Sequence, residues 1–293
     1  MEKRNYIWIN GEYANGKQPV LHINNRSFAY GDGFFETIHA YGTEARYLSL
    51  HFNRITKSLR VLGMVPPPFL SLEFLGSEIT RLLNKNRVFG SARIRLTFFR
   101  ESGGFYGPTK SGIGITIETT PLEDDFYPLN QKGYVVDIYT DIRKPINLLS
   151  PLKSSNALLY VMAAMYKQSA KLDDCIIIND QNRIAEATSS NLFLVMGNEI
   201  RTPSLEEGCV AGVMRHVVIN LAKQEGYRVV DNDPVEVDML TIADEIFLTN
   251  AIAGIRWVVG LRHKRYFGVT SRKLSQRLNE LTFPDQFKDG FSG

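Results

Sequence analysis

The chain opens on short alternating runs. Tyr6-Ile-Trp-Ile9 leads into Asn10-Gly11, a dipeptide suited to a tight hairpin turn, and predicts strands on either side of it. Residues 34–40 alternate loosely behind Gly31-Asp32-Gly33 and predict another strand. Over 49–62, leucines and polar residues recur at helical spacing until Gly63, with prolines from Pro66 to Pro68 beyond. Residues 71–83 predict a second helix, and 92–99 and 113–117 read as strands. Through 119–127, Pro, Asp and Glu mix without period, which marks a linker. Beyond it, strands are predicted at 134–139, 175–178, 192–195, 227–230, 245–249 and 255–259. Helices are predicted at 156–171, 212–225 and 271–281, and the tail 285–293 is expected to fray. No internal repeat or low-complexity segment interrupts the pattern. The expectation is a mixed α/β (α+β) chain with a smaller N-terminal α/β domain (1–120), a linker (121–128) and a larger, strand-rich C-terminal α/β domain (129–293) that carries Lys153. The cleft between the halves is the default place for a site.

Composition narrows the class. The 293 residues are 44% hydrophobic, enough to bury a sizeable core. With 34 basic and 31 acidic residues, the net charge of +3 is too balanced to suggest nucleic acid or an acidic membrane surface. No apolar run approaches the roughly 20 residues of a membrane span. The first residues, Met-Glu-Lys-Arg-Asn-Tyr, lack the apolar core of a signal peptide. Only Cys175 and Cys209 occur, far apart, so a disulfide framework is not expected and a cytoplasmic setting is. The five histidines form no close His-x-x-x-His pair, so no metal is expected, and no Gly-x-Gly-x-x-Gly opens a helix.

The chemistry concentrates in a few polar segments. Lys153 lies in Pro151-Leu-Lys-Ser-Ser-Asn156, ahead of an apolar helix, and Glu186 lies in Ala185-Glu-Ala-Thr-Ser-Ser-Asn191, read as a loop before an apolar strand. A lysine amine can form a Schiff base with an aldehyde, and a carboxylate can keep a pyridine nitrogen protonated. Together they suit pyridoxal phosphate, whose ring draws electrons only when that nitrogen carries a proton. Val210-Ala-Gly-Val-Met-Arg215 places Gly212 at the start of a helix, where free amides and the helix dipole favour phosphate. Arg54, in His51-Phe-Asn-Arg54, offers a planar two-donor fork suited to the same group. Any one of these residues alone reads as an ordinary surface or core residue. Their conjunction and order carry the signal.

That conjunction resembles the class IV (fold type IV) aminotransferase family, which includes branched-chain and D-amino-acid aminotransferases and aminodeoxychorismate lyase. The resemblance spans about residues 5–280 and implies pyridoxal 5'-phosphate as cofactor. It assigns Lys153 and Glu186 as catalytic residues. It gives the phosphate to Arg54, to the amides of Val213 and Met214 after Gly212, and to candidates among Thr249, Asn250 and Ala251. It packs Val210 on the pyridine face and places Ser190 and Asn191 in the acidic segment. Met214 stands where the family commonly has threonine. His51 is expected to be structural.

The substrate side is less uniform. Gly31-Asp-Gly-Phe-Phe-Glu36 resembles the family's pocket-lining segment and puts Phe35 beside the cofactor. In the Gly-rich segment Arg100-Glu-Ser-Gly-Gly-Phe-Tyr-Gly-Pro108, the Arg-x-His of D-amino-acid enzymes is replaced by Phe105 and Gly107. The Tyr and Arg typical of branched-chain enzymes are not evident on the preceding strand, where Arg95 and Thr97 stand. The segment is similar to the lyase's Arg-Gly-x-Gly-Gly-Arg-Gly-Tyr, with Phe105 in place of the second arginine. Arg95, Arg100 and Tyr106 are the candidates for the substrate carboxylate. The resemblance implies an aminotransferase acting on a small apolar, branched-chain-like amino acid and a 2-keto acid, or a 4-amino-4-deoxychorismate lyase releasing 4-aminobenzoate and pyruvate. It also implies a homodimer in which the segment after Arg100 completes the neighbour's site. A non-catalytic scaffold of the same fold is the alternative from another class, and the presence of both Lys153 and Glu186 argues against it.

Overall fold

The computed structural model describes residues 5–287 and divides into two compact units. The first holds residues 5–125 together with Leu152–Asn156, and the second holds Phe126–Pro151 with residues 157–287.

In the first unit, β1 (Tyr6–Ile9) and β2 (Glu12–Asn15) form the expected hairpin. Asn10 and Gly11 both take positive φ, 49° and 103°, as the turn requires. A short helix α1 (Arg26–Tyr30), which the pattern did not announce, is capped at both ends. Asn25 Oδ1 accepts from the amides of Ser27 and Phe28, and Gly31 ends the helix at φ 67°. Then come β3 (Gly33–Tyr41), β4 (Glu44–Ala45), α2 (Leu48–Val61), α3 (Leu72–Asn86), β5 (Ala92–Arg100) and β6 (Ile113–Pro121). The six strands pair wholly antiparallel in the order β2-β1-β6-β5-β3-β4.

Strand alternation sorts this sheet into two faces. Phe34, Ile38, Ile94, Leu96 and Phe98 share one core with Ile55, Leu59, Leu75 and Ile79 of α2 and α3. Phe34 and Phe98 stack there, centroids 4.7 Å apart, as core residues. The other face carries Phe35, Thr37, Arg93, Arg95, Thr97 and Phe99.

The second unit is built on a nine-stranded mixed sheet. Its strands are β7 (Tyr134–Lys144), β8 (Asp174–Asn179), β9 (Ile184–Ala187), β10 (Asn191–Met196), β11 (Glu199–Arg201), β12 (Arg228–Val230), β13 (Glu245–Asn250), β14 (Gly254–Leu261) and β15 (Lys264–Arg265). The path runs β12-β11-β10-β13-β14-β7-β8-β9, with β15 on β14. A three-residue turn joins β9, at one end of the path, to β10, near the other. Ala187 N donates to Ser190 O at 2.7 Å across that turn, so the sheet curls back on itself. The helices are α4 (Leu158–Ser169), α5 (Val213–Gln224), α6 (Met239–Ile242), α7 (Val269–Thr282) and α8 (Pro284–Phe287), with a 3₁₀ turn at Leu205–Glu207. Ile138, Ile176, Leu192, Leu194, Ile246 and Val258 centre the core.

Three expectations change. Lys153, expected in the C-terminal domain, belongs with Leu152–Asn156 to the first unit, because that segment pairs with the start of β3. The Glu186 segment is not a loop: it is β9, paired antiparallel with β8 and buried throughout. Its four residues are too few to show a period, and a buried carboxylate among them disguised the strand. Of the tail 285–293 expected to fray, 285–287 belong to the short helix Pro284–Phe287, and 288–293 lie outside the described residues.

Candidate functional site

In the first unit, Leu152–Asn156 is laid against the start of β3. Phe35 N donates to Lys153 O at 3.0 Å, and Ser155 N donates to Gly33 O at 2.9 Å. Phe34 and Ser154 form an antiparallel bridge. This pairing sets Lys153 Nζ 4.5 Å from the centroid of the Phe35 ring. The Arg95 guanidinium lies 4.0 Å from the same ring. Among the described residues, the side chains of Arg93 and Arg95 form neither an ion pair nor a hydrogen bond. Burial pulls the Arg95 pKa below its ordinary value and the charge of Arg93 adds to this, with Glu118 opposing. The face is therefore cationic beside an aromatic ring, an arrangement suited to a carboxylate. A cavity of about 370 Å³ opens on this face, lined by Ile7, Val20, Leu21, Phe28, Thr97 and Phe99 among others.

On the helix side of the sheet, three charged or ionisable residues form a buried cluster. Arg54 grips Glu36 in a two-pronged pair, Nε to Oε1 at 2.7 Å and one terminal nitrogen to Oε2 at 2.6 Å. His51 Nδ1 lies 2.7 Å from Glu36 Oε2, and because a carboxylate only accepts, the ring nitrogen donates. Burial alone would raise the Glu36 pKa, but the charge and hydrogen bonds of Arg54, with those of His51, hold it down at about 2. For His51, burial outweighs Glu36 and lowers the pKa, with Arg54 and Lys153 pushing the same way. His51 is thus a neutral structural donor. Glu36, which sequence reasoning left without a role, is the residue that orients Arg54. Its signal was present as a carboxylate among the otherwise apolar positions of β3 that face the helices.

The Gly-rich segment divides the remaining candidates. Arg100 is buried, and its guanidinium is given to protein partners. Its Nε donates to Asp32, and its terminal nitrogens donate to the carbonyls of Gly63 (3.1 Å) and Leu62 (2.6 Å), capping the end of α2. Tyr106 is 89% exposed and touches Tyr30, centroids 5.6 Å apart.

In the second unit, three distant segments meet around Glu186. Oε1 accepts from Tyr160 at 2.7 Å and from the buried Lys144 ammonium, and Oε2 accepts from the Val210 amide at 2.9 Å. The Tyr160 pKa is raised by burial and then by the Glu186 charge, which keeps its hydroxyl a donor. The Cys209 thiol is pushed up to about 12 by burial and by the same charge. Neither Lys144 nor Tyr160 was singled out in the sequence, because neither carries a motif.

Asn191 Nδ2 donates to Val210 O at 2.9 Å, and Asn191 pairs in register with Thr249. Asn250 Nδ2 reaches Ser190 Oγ at 3.1 Å, while its Oδ1 holds the turn after Ala251 by accepting from Ile252 and Ala253. Glu186, Ser190, Asn191, Val210, Gly212, Thr249, Asn250 and Ala251 are thus brought into one neighbourhood. Lys153, Phe35, Arg95 and Arg54 are gathered in the first unit.

This neighbourhood fits a phosphorylated ligand. Gly212 caps α5 without a side chain, leaving the first-turn amides of Val213 and Met214 uncapped, and a Cβ there would collide with Asn191 Oδ1. The Thr249 hydroxyl is buried with no hydrogen-bond partner among the described residues. A backbone cradle, an orphaned hydroxyl and a carboxylate nearby match the donors and acceptors that a pyridoxyl phosphate presents.

Comparison with known proteins agrees. Residues 33–261 match the family described as amino-transferase class IV. A Methanocaldococcus jannaschii protein named provisionally as a branched-chain-amino-acid aminotransferase is 29% identical, with 94% of this chain and 96% of that protein aligned. An aminodeoxychorismate lyase of Vibrio harveyi is also 29% identical, over 93% of this chain and 99% of the lyase. The solved branched-chain amino acid aminotransferase of Thermobaculum terrenum, in its PLP-bound holo form, superposes with a TM-score of 0.84 at 20% identity, covering 98% of this chain and 97% of that one. The chain belongs to the class IV aminotransferase family, a family of enzymes, and has its fold.

Proposed function

We propose that this enzyme uses pyridoxal 5'-phosphate to move an amino group between an apolar, branched-chain-like amino acid and a 2-keto acid. The observation that carries the reading is the shared ring: Lys153 Nζ and the Arg95 guanidinium both lie over Phe35, at 4.5 and 4.0 Å. When bound, the cofactor supplies an electron sink that acidifies the substrate's α-carbon. Lys153 would hold the cofactor through its Nζ and, as a free amine, would carry the substrate's α-proton. Glu186, held by Lys144, Tyr160 and the Val210 amide, keeps the ring nitrogen protonated, and Val210 packs on the ring. The amides of Val213 and Met214, with Thr249 and Arg54, hold the phosphate, and Ser190, Asn191, Asn250 and Ala251 shape its surroundings. Arg95 takes a substrate carboxylate, and Val20, Leu21, Phe28 and Phe99 give the cavity, which Glu118 and Thr116 also line, an apolar wall for a substrate side chain. Arg100 supports the substrate segment from behind, and Tyr106 meets substrate or a second subunit.

The second reading, release of 4-aminobenzoate and pyruvate from 4-amino-4-deoxychorismate, is favoured by the segment after Arg100. Purified enzyme offered that compound, and separately a panel of L- and D-amino acids with 2-oxoglutarate, decides between them. Pyruvate formed from the former with no keto acid formed from the latter would overturn the aminotransferase reading.

The assembly we propose is a homodimer with shared sites. Leu158, Val161, Met162 and Met165 recur at i, i+3, i+4 and i+7 on α4 and are all exposed. Such an apolar stripe suits a second copy. No described helix is long and apolar enough to cross a membrane. With a near-balanced charge and two free, buried thiols, we place the enzyme in the cytoplasm with small-molecule substrates and no nucleic-acid partner.

A further inference from the structure

Arg26 is the first residue of α1 and only 3% exposed, yet nothing in the proposed chemistry uses it. Its guanidinium gathers the backbone of the Gly-rich segment. One terminal nitrogen donates to Gly103 O (3.0 Å), Gly104 O (3.1 Å) and Phe105 O (2.6 Å), and the other reaches Tyr106 O at 3.4 Å. Nε donates to Asp32 Oδ2 at 2.8 Å. Four successive carbonyls therefore wrap one buried cation. Gly103 and Gly104 permit this at φ 130° and 73°. With its carbonyls turned inward, the segment turns its side chains outward: Phe105 is 84% exposed and Tyr106 89%. Tyr30 braces the arrangement, 5.0 Å from the Arg26 guanidinium and in ring contact with Tyr106.

Asp32 extends the linkage. It binds Arg26 and Arg100 together, and the next residue, Gly33, accepts from Ser155, two residues past Lys153. Ser27, next to Arg26, meets Ser155 at 3.2 Å. One ion network thus ties the backbone of residues 103–106 to the segment that bears Lys153.

We propose that Arg26 is a positioning residue for substrate binding: it presets the 103–106 segment so that Phe105 and Tyr106 are presented from a fixed backbone. This rests on the reading that these two side chains meet substrate or the partner that holds it. Arg26 itself touches no substrate.

The experiment compares Arg26→Met, Gly104→Ala and the double variant Phe105→Ala/Tyr106→Ala as holoenzymes. In Arg26→Met, Asp32 keeps Arg100, so no carboxylate is stranded. Gly104→Ala disturbs the wrap independently, because a Cβ there collides with Gly107 O. Each should raise KM for the amino donor about tenfold, the scale of lost charge-assisted hydrogen bonds, with kcat much less affected. Visible cofactor absorbance should stay unchanged. In Arg26→Met, amide hydrogen exchange should accelerate over 102–109 and not over 150–156, and added guanidinium ion should restore both exchange protection and KM. If Phe105→Ala/Tyr106→Ala raises KM but Arg26→Met and Gly104→Ala do not, Arg26 does not position the segment, while the reading of Phe105 and Tyr106 stands. If none of the three raises KM, the substrate role of the segment fails and the inference falls with it. A KM rise accompanied by lost cofactor absorbance would also overturn it, by placing the effect at Lys153.

Discussion

Glu36 and Glu186 are both buried carboxylates, and their partners give them opposite duties. Glu36 is enclosed by Arg54 and His51, and its pKa near 2 lies below the 4.5 of an unfolded carboxyl. Its contribution to stability is therefore complete above about pH 4.5 and lost as pH falls through 2. Linkage puts it on the order of 3 kcal/mol. Denaturant melts at about pH 5, 4 and 3 should show falling stability. Glu36→Gln should flatten that slope while weakening cofactor binding through a loosened Arg54. Glu186 is instead the counter-ion of buried Lys144. Glu186→Ala should abolish turnover and also cost about 3–5 kcal/mol, because an unpaired ammonium remains buried. Adding Lys144→Met should recover much of that stability in urea melts without recovering turnover. Full activity in Glu186→Ala would remove it from the ring nitrogen. For Lys153, borohydride reduction followed by peptide mapping should find the pyridoxyl group on that residue, and Lys153→Ala should lose it together with nearly all turnover. An adduct on another lysine would sink the assignment.

At the level of elements, the start of α5 shows how backbone and side chain separate. The amides of Val213 and Met214 act whatever side chains they carry, whereas Gly212 must lack one. Gly212→Ala should displace Asn191, loosen its bond to Val210 O, and weaken cofactor affinity with a modest change in melting temperature. Equal affinity in a titration of the apoenzyme would show that the cradle does not hold phosphate. Met214 is buried, so Met214→Thr should keep the amide contact and still lower stability by leaving a void and a buried hydroxyl.

For the whole molecule, the apolar stripe on α4 is the decisive surface. Leu158→Glu with Met165→Glu should leave the melting temperature nearly unchanged, since Leu158 is 77% exposed, yet shift light scattering from dimer to monomer. Mixing Lys153→Ala with Phe105→Ala/Tyr106→Ala under subunit exchange should restore activity if sites are shared. Proven exchange without recovery would count against sharing.

Most of the longer strands and helices of both units, the strand that begins after Gly31 and the glycine before α5 were legible in the sequence, whereas the short α1 and β9 were not. Periodicity, turn chemistry and spacing are local properties that a chain displays without being folded. The family followed from the order of such segments. What local pattern could not supply were pairings over long separations. Glu186 reads as a loop carboxylate until β8 pairs beside it and Lys144, 42 residues earlier, neutralises it. Arg100 reads as a cation awaiting a substrate until α2 ends against it. Arg26 carries no signal in the sequence, and its part emerges only where residues 103–106 close over it. In each case burial in a low-dielectric interior makes the partner obligatory, and only the tertiary structure decides which partner that is.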